Sequence, residues 1–215
     1  CVWCDSPDAQ AVRPGEFRVE REPGTGDFEA LPNPVDVRGM VRIIDGLKTP
    51  DLHSISLTGG EPLSQVDFLE ALCPDLDDAV YLETNGTLPE AAGRVAGFVD
   101  YASVDIKDET ATPYSGWEDV VEREFRTIEV LKDAGAEVFA KVVVTDNTEP
   151  GNIAGFARRL SELGVPLAIQ PVTGDDGTVK VSQKRLFLLS EAAAQYLSAE
   201  DLTISLQTHK FQGLL

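Results

Sequence analysis

Two kinds of hydrophobic pattern alternate along most of the chain. Short apolar runs predict strands buried on both faces, whereas apolar residues spaced three or four apart predict amphipathic helices. The predicted strands are Ser54 to Thr58, Val80 to Glu83, Tyr101 to Ile106, Val138 to Val144, Leu167 to Val172 and Leu202 to Gln207. The predicted helices run from an Asn33 cap to about Lys48, from Leu63 to Leu72, from about Pro89, from Trp117 to Ala134, through Ile153 to Leu163 and from Ser182 to Leu197.

This alternation predicts parallel βα units in an α/β fold. Five such units follow the first cysteines and a sixth is expected before them, which suits a partial (β/α)6 TIM-like barrel in one domain over residues 1–215. A doubly wound sheet would give a similar pattern, but no GxGxxG follows a first strand. Residues 8–34 lack helical spacing and alternate on both sides of a Pro23 to Gly26 turn, which predicts a hairpin insert.

Charge and composition narrow the classes of partner. Lys and Arg number 18 against 37 Asp and Glu, so the formal net charge is −19. That balance argues against a protein that binds nucleic acid through its phosphates. The acidic residues are spread along the chain, which indicates a solvated acidic surface, and a high-salt cytoplasm is one hypothesis for it. No apolar run has transmembrane length, so we expect no membrane partner.

The opening residues Cys1-Val2-Trp3-Cys4 carry the first candidate chemistry. A structural zinc site needs four ligands, yet beyond this pair the chain has only Cys73, His53 and His209, with no second paired half-site. A thioredoxin-like dithiol would open a helix after a strand, whereas a loop-like stretch follows here. Spacing alone leaves zinc, a redox dithiol and an iron–sulfur cluster open. Cys73 is interpreted as a small buried hydrophobe.

A second motif, Gly59-Gly60-Glu61-Pro62, closes the apolar run at Ile55 to Leu57. In this order the two motifs resemble the CxxxCxφC loop and the GGEP motif of radical S-adenosylmethionine (SAM) enzymes. The resemblance implies a (β/α)6 partial barrel, with a [4Fe–4S] cluster that presents one open iron to SAM. The first family cysteine would lie before residue 1, so we expect an N-terminal truncation that lacks one cluster ligand and the first strand. Such a cluster indicates a reducing, cytoplasmic location.

Further resemblances point to one family of radical SAM enzymes. Trp3 to Ser6, Glu83 to Thr87, Gln170 to Val172 and Leu206 to Lys210 are similar to the WCDT, ET(N/S)GT, LQP and LQTHK stretches of 7-carboxy-7-deazaguanine synthases. Those enzymes convert 6-carboxy-5,6,7,8-tetrahydropterin into 7-carboxy-7-deazaguanine, towards queuosine and archaeosine. The resemblance implies the cluster, SAM and Mg2+ as cofactors and an electron donor such as flavodoxin or ferredoxin. We also expect a homodimer.

The resemblance assigns roles to individual residues. It implies Cys1 and Cys4 as cluster ligands and Ser6, in place of the family threonine, as a Mg2+ ligand. Asp5, His209 and Lys210 are the expected substrate contacts. The expected SAM contacts are Trp3, Gly59, Gly60, Glu61, Thr84, Asn85, Ser103, Lys107 and Gln170. Ser6 could instead be a turn or cap hydroxyl, and His209 a packed or surface histidine.

Two rival functions stay open at this point. A radical SAM activating enzyme, which makes a glycyl radical on a partner protein, shares the cluster loop and the GGEP motif. The LQTHK ending and the Cys4-Asp5-Ser6 triplet favour a small pterin substrate over that partner. A metal-dependent interaction protein or electron carrier could also use the CxxC pair.

Overall fold

The computed structural model describes residues 14–111, 116–174, 176–208 and 210. The strands are β1 (Glu16–Glu20), β2 (Phe28–Pro32), β3 (Ile55–Leu57), β4 (Val80–Thr84), β5 (Tyr101–Lys107), β6 (Glu137–Val144), β7 (Leu167–Pro171) and β8 (Leu202–Ile204). The α-helices are α1 (Val37–Leu47), α2 (Val66–Leu72), α3 (Pro89–Val95), α4 (Trp117–Asp133), α5 (Pro150–Leu163) and α6 (Gln183–Ala193). None of the helices in these ranges is long and apolar enough to cross a membrane.

The main sheet has six strands in the order β3-β4-β5-β6-β7-β8, and every neighbouring pair is parallel. Spatial order follows sequence order, because each strand is followed by a crossover that returns the chain to the same end of the sheet. The expected parallel α/β fold is confirmed. Strands β3 and β8 are the two edges of the sheet in the described residues, so it is open rather than closed.

Alternate side chains of the strands separate into two faces. One face carries Leu57, Leu82, Val104, Val142 and Ile169, which belong to the main hydrophobic core together with apolar residues of α2 to α6. Burial of this apolar surface is the main stabilising contribution to the fold. The other face, called the inner face below, carries Ser56, Tyr81, Glu83, Tyr101, Ser103, Asp105, Lys107, Phe139, Lys141, Val143, Ala168 and Gln170.

Strands β1 and β2 form a separate antiparallel pair in the register Glu16 with Pro32 and Glu20 with Phe28. The guanidinium of Arg18 lies 4.5 Å from the centre of the Phe28 ring. This pair occupies part of the 8–34 span in which the alternation predicts a hairpin.

Helix α1 begins later than the sequence pattern predicts. The backbone N–H of Asn33 donates to the carbonyl of Gly15 at 3.0 Å, so Asn33 extends the hairpin and does not cap the helix. The cap is Asp36, whose side chain accepts from the N–H of Gly39 at 2.6 Å. The predicted Asn33 cap is therefore wrong. The helix predicted from Leu63 also divides, into a 3-10 turn at Pro62–Gln65 followed by α2.

We predict that Gly86→Ala destabilises the protein more than Gly164→Ala. Both glycines have positive φ, 72° and 62°, so both alanines carry the same left-handed backbone cost of about 1–2 kcal/mol. A Cβ on Gly86 would also lie 2.8 Å from Val104 Cγ1 and 3.1 Å from Glu124 Cα, whereas one on Gly164 meets nothing closer than 3.8 Å. Overpacking should lower the free energy of unfolding of the Gly86 variant, measured by chemical denaturation, by a further amount of about 1–3 kcal/mol. Equal losses would show that the loop moves away from α4 at no cost.

Candidate active site

The inner face changes in character from one end of the strands to the other. At the amino ends it is aromatic: His53 and Tyr101 have ring centres 4.8 Å apart, and Tyr81 and Phe139 have ring centres 6.4 Å apart. Towards the carboxyl ends the same face carries carboxylates, lysines and a glutamine. The carboxyl ends of the strands are where parallel α/β barrels place their chemistry, because the βα loops converge there. The candidate site therefore lies at this polar end.

Glu61, in the loop after β3, joins that loop to the one after β4. Its Oε1 accepts from the N–H of Leu63 at 3.0 Å and from the Thr84 hydroxyl at 2.8 Å. Its Oε2 accepts from the N–H of Asn85 at 2.8 Å. A carboxylate with several donors is held firmly, because hydrogen bonds to a charged acceptor are stronger than neutral ones. Glu61 thus fixes the spacing between two loops predicted to hold SAM.

The loop after β4 is ordered by its own side chains. The Thr84 hydroxyl accepts from the N–H of Gly86 at 3.1 Å while it donates to Glu61, and it is buried. The Asn85 side-chain oxygen accepts from the N–H and the hydroxyl of Thr87, at 2.9 and 2.6 Å. In the neighbouring loop, Gly59 and Gly60 are exposed, and Gly59 has φ 122° with open space where a side chain would lie. Backbone groups of that loop are accessible to a ligand.

Two lysines and an aspartate form an ion-pair chain across β5 and β6. Lys107 Nζ lies 3.0 Å from one oxygen of Asp105, and Lys141 Nζ lies 3.0 Å from the other. Asp105 and Lys141 are directly opposite in the register, so their proximity follows from the parallel pairing. The chain presents two cationic groups on the inner face, which suits a ligand that carries carboxylate groups.

A second cluster of polar side chains lies on β3 and β4. The Ser56 hydroxyl donates to Glu83 at 3.0 Å. Burial, followed by the nearby charge of Glu83, raises the pKa of Tyr81, and a hydrogen bond with Ser103 acts in the opposite direction. The Tyr81 phenol therefore stays protonated at neutral pH and can donate a hydrogen bond.

The structure brings together the predicted SAM residues that it describes. Gly59, Gly60, Glu61, Thr84 and Asn85 lie in neighbouring loops. Ser103, Lys107 and Gln170 lie on the inner face, with Ser103 and Gln170 buried. Lys210 is buried, and its Nζ donates to the carbonyl of Thr173, just after β7, at 2.9 Å. The predicted residues outside the described part of the chain are Cys1, Trp3, Cys4, Asp5, Ser6 and His209.

Helix α4 contributes a buried carboxyl group behind these loops. Glu124 is fully buried, and its Oε2 accepts from the N–H of Lys107 at 2.9 Å. Burial raises the pKa of Glu124 from 4.5 to about 8, against the opposing hydrogen bond from Lys107. Within the described residues, its Oε1 has no hydrogen-bond partner. Asp108, one position past β5, is also a fully buried carboxyl group. Its Oδ2 accepts from the hydroxyls of Thr110 and Thr148 at 2.5 and 2.8 Å.

Sequence reasoning missed Lys141, Glu124 and Asp108 as site residues. Lys141 interrupts an otherwise apolar strand, and Glu124 lies on the apolar face of α4 beside Val121, Phe125 and Ile128. Charged residues are almost never fully buried without a partner, so a charge inside an apolar pattern is a signal that could have identified both. Asp108 lies one position past a strand, where a polar residue is ordinary, so no such signal marked it.

The donor set fits SAM. The methionine end of SAM carries an ammonium and a carboxylate, and its ribose carries two hydroxyls. Exposed backbone around Gly59 and Gly60 can accept from the ammonium, Lys107 can meet the carboxylate, and Asn85 and Ser103 are hydrogen-bonding partners for hydroxyls. The cluster and Mg2+ ligands implied by resemblance, Cys1, Cys4 and Ser6, lie outside the described residues.

Comparison with curated proteins gives relatives over the whole chain. It is 42% identical over 219 residues to the 7-carboxy-7-deazaguanine synthase of Thermococcus kodakarensis, covering 100% of this chain and 85% of the relative. It is 36% identical to the Methanocaldococcus jannaschii synthase, with 100% and 87% coverage, and 34% identical to the Geobacter sulfurreducens synthase, with 100% and 85% coverage. No protein-family model matches the chain.

Solved structures share the fold. A radical SAM methyltransferase from Sphaerobacter thermophilus has a TM-score of 0.61 at 16% identity, over 80% of this chain and 58% of the methyltransferase. Streptococcus suis SuiB bound to S-adenosylmethionine has a TM-score of 0.54 at 17% identity, over 84% of this chain and 46% of SuiB. These similarities confirm the predicted partial barrel of the radical SAM type.

We predict that the Glu124 carboxyl makes the stability of the protein fall as pH rises. Its pKa is about 8 when folded against an ordinary 4.5, so the folded state retains a proton between those values that the unfolded state has lost. The contribution of this group is fully present below about pH 4.5 and declines towards pH 8, by at most about 1.4 kcal/mol per pH unit. Glu124→Gln, which does not titrate, is the reference.

The measurement is the free energy of unfolding of both proteins by chemical denaturation at several pH values between 5 and 9. The wild-type value minus the Glu124→Gln value should decrease with pH. A constant difference would mean that the carboxyl group is ionised in the folded protein throughout this range.

Proposed function

Because the chain belongs to the 7-carboxy-7-deazaguanine synthase family, we propose that it converts 6-carboxy-5,6,7,8-tetrahydropterin into 7-carboxy-7-deazaguanine, a step of 7-deazapurine biosynthesis. The observation that supports this most is the 42% identity to the Thermococcus kodakarensis synthase over the full length of this chain. The polar inner face at the carboxyl ends of β4 to β7 adds to it, because it offers cations and hydrogen-bond donors to a carboxylated pterin.

The cofactors of this reaction are a [4Fe–4S] cluster, SAM and Mg2+. When bound, the cluster and SAM supply the radical chemistry that starts the rearrangement. We assign Cys1 and Cys4 to the cluster and Ser6 to Mg2+, for which a hydroxyl is a suitable hard donor. The SAM contacts are Trp3, Gly59, Gly60, Glu61, Thr84, Asn85, Ser103, Lys107 and Gln170.

The residues of the chain bind and orient the reactants. Glu61 holds the loops after β3 and β4 at a fixed spacing through Thr84 and Asn85. Lys107 and Lys141, paired with Asp105, offer two positive charges at the site. The net charge of the chain is strongly negative. Local lysines are therefore needed to attract a carboxylated substrate against the overall field of the protein.

Asp5, His209 and Lys210 are the proposed substrate contacts. Lys210 donates to the carbonyl of Thr173, which places its ammonium group beside the carboxyl end of β7. We further propose flavodoxin or ferredoxin as the electron donor, a homodimer as the assembly and the cytoplasm as the compartment.

The test is an anaerobic assay of the full-length protein after cluster reconstitution. The reaction contains SAM, Mg2+, a chemical or flavodoxin reductant and 6-carboxytetrahydropterin, and the product is identified by mass spectrometry. Formation of 7-carboxy-7-deazaguanine with SAM regenerated supports the proposal. SAM cleavage without this product, whatever pterin is supplied, would contradict it and favour the activating-enzyme function.

We predict that Glu61→Ala weakens SAM binding by about 1.5–3 kcal/mol, the value of a charge-assisted hydrogen bond. The variant loses the acceptor that joins Thr84 and Asn85 to the loop after β3. Calorimetry of SAM binding to the reconstituted protein measures the effect. The control is Glu90→Ala, which removes an exposed carboxylate on α3. Unchanged SAM affinity in the Glu61 variant would remove this residue from the site.

We predict that Ser6→Ala raises the Mg2+ concentration needed for half-maximal turnover and leaves the iron content unchanged. The reason is the loss of one hard oxygen ligand. Ser6→Thr, which restores the family residue, should retain or lower the Mg2+ requirement. An identical Mg2+ titration in wild type and Ser6→Ala would assign the hydroxyl to a turn or a helix cap instead.

A further inference from the structure

Helix α4 holds the main chain of two strand-end loops through three side chains. The Glu124 carboxyl accepts from the N–H of Lys107 at 2.9 Å, and the Trp117 indole N–H donates to the carbonyl of the same residue at 2.6 Å. One turn along from Glu124, the Thr127 hydroxyl donates to the carbonyl of Gly86 at 2.7 Å. These contacts fix two loops relative to one helix, and therefore relative to each other.

The contacts leave the side chain of Lys107 available to the site. Both backbone polar groups of Lys107, the N–H and the carbonyl, are bound by side chains of α4, while its ammonium lies on the inner face beside Asp105. The loop at Gly86 approaches α4 so closely that a side chain there would meet Glu124 Cα at 3.1 Å. The loop and the helix are therefore in direct contact. A substitution at position 124 consequently affects both the loop at Gly86 and the end of β5.

Burying Glu124 is unfavourable in itself. It is fully buried and one of its oxygens has no partner among the described residues. The charges of Lys107 and Asp105, whose side chains lie on the inner face of β5, act on its ionisation in opposite directions. An apolar residue of similar size would fill this position in α4 without that desolvation cost. A costly buried polar group next to a functional loop indicates a role other than packing.

We propose that Glu124 is a positioning residue for SAM: it fixes the backbone of Lys107 so that the ammonium group of Lys107 is held ready for the carboxylate of the cofactor. This inference rests on the proposed function, which assigns Lys107 to SAM. Glu124 itself does not touch the cofactor. It acts through the main chain, and Trp117, on the same helix, binds the carbonyl of the same residue.

The test compares two substitutions of nearly equal size, Glu124→Gln and Glu124→Met. Glutamine keeps an oxygen that accepts from the N–H of Lys107, whereas methionine fills the space without an acceptor. The control is Glu118→Gln, an exposed position on the same helix. Hydrogen exchange of the Lys107 amide, measured without SAM, reports the contact itself, and calorimetry of the reconstituted full-length protein reports SAM affinity.

We expect Glu124→Gln and Glu118→Gln to bind SAM within about twofold of wild type. Glu124→Met should bind SAM about five- to tenfold more weakly and exchange the Lys107 amide at least about tenfold faster, as expected for one lost hydrogen bond. At saturating SAM its kcat should approach that of wild type. A merely structural role would instead lower thermal stability and leave SAM affinity unchanged.

Other outcomes remain decisive. If Glu124→Met fails to fold, Trp117→Phe removes the second contact to Lys107 and keeps an aromatic ring; unchanged SAM affinity in that variant would overturn the inference. Wild-type product formation with equal SAM affinity in every folded variant overturns the positioning role alone. A wild type that neither binds SAM nor forms product overturns the proposed function and this inference together, even if the amide of Lys107 exchanges faster in Glu124→Met.

Discussion

The alternation of side chains along parallel strands is the constraint on which the site depends. Along each strand, alternate residues face the helix-packed core and the residues between them lie on the inner face. A register shift of one residue would therefore exchange the two sets. Lys141 illustrates the consequence: Ala140 and Val142 on either side of it are fully buried, while Lys141 itself pairs with Asp105. The register with β5 puts those two charges opposite each other. Core packing therefore fixes the positions of the charged groups.

Strand order alone does not place the loops, and hydrogen-bonded carboxyl groups complete that task. Glu61, Asp108 and Glu124 each accept hydrogen bonds from the backbone or side chains of residues at the end of a strand or just after it. A buried carboxyl group is destabilising unless its partners are well aligned, so Asp108 and Glu124, which are fully buried, strongly specify one loop geometry. These hydrogen bonds lie at the carboxyl ends of β3, β4 and β5, where the chemistry is proposed.

The sequence was sufficient for the parallel α/β fold and for the strand ends that meet at the site, because apolar runs and strand-end polar residues are local signals. It was insufficient where a side chain acts across the fold. The GGEP motif singled out Glu61 as a ligand for the cofactor but could not show its bonds to Thr84 and Asn85, which lie more than twenty residues away in the sequence. The Asn33 cap was wrong for a related reason: its N–H pairs with Gly15 in the hairpin, a long-range bond that competes with a favourable local signal.

The same reasoning explains why the site combines an exposed ligand-facing side with a rigid support. Gly59 and Gly60 leave backbone accessible, and accessible backbone is free to move unless something behind it is fixed. Glu61 provides that support for the loop after β3, and α4 provides it for the end of β5. A charged cofactor binds more tightly to groups that are already ordered, because the entropy cost of ordering them does not reduce the binding free energy. Desolvation of the buried Asp108 and Glu124 carboxyls opposes folding, while their hydrogen bonds order the end of β5 and the loop after it.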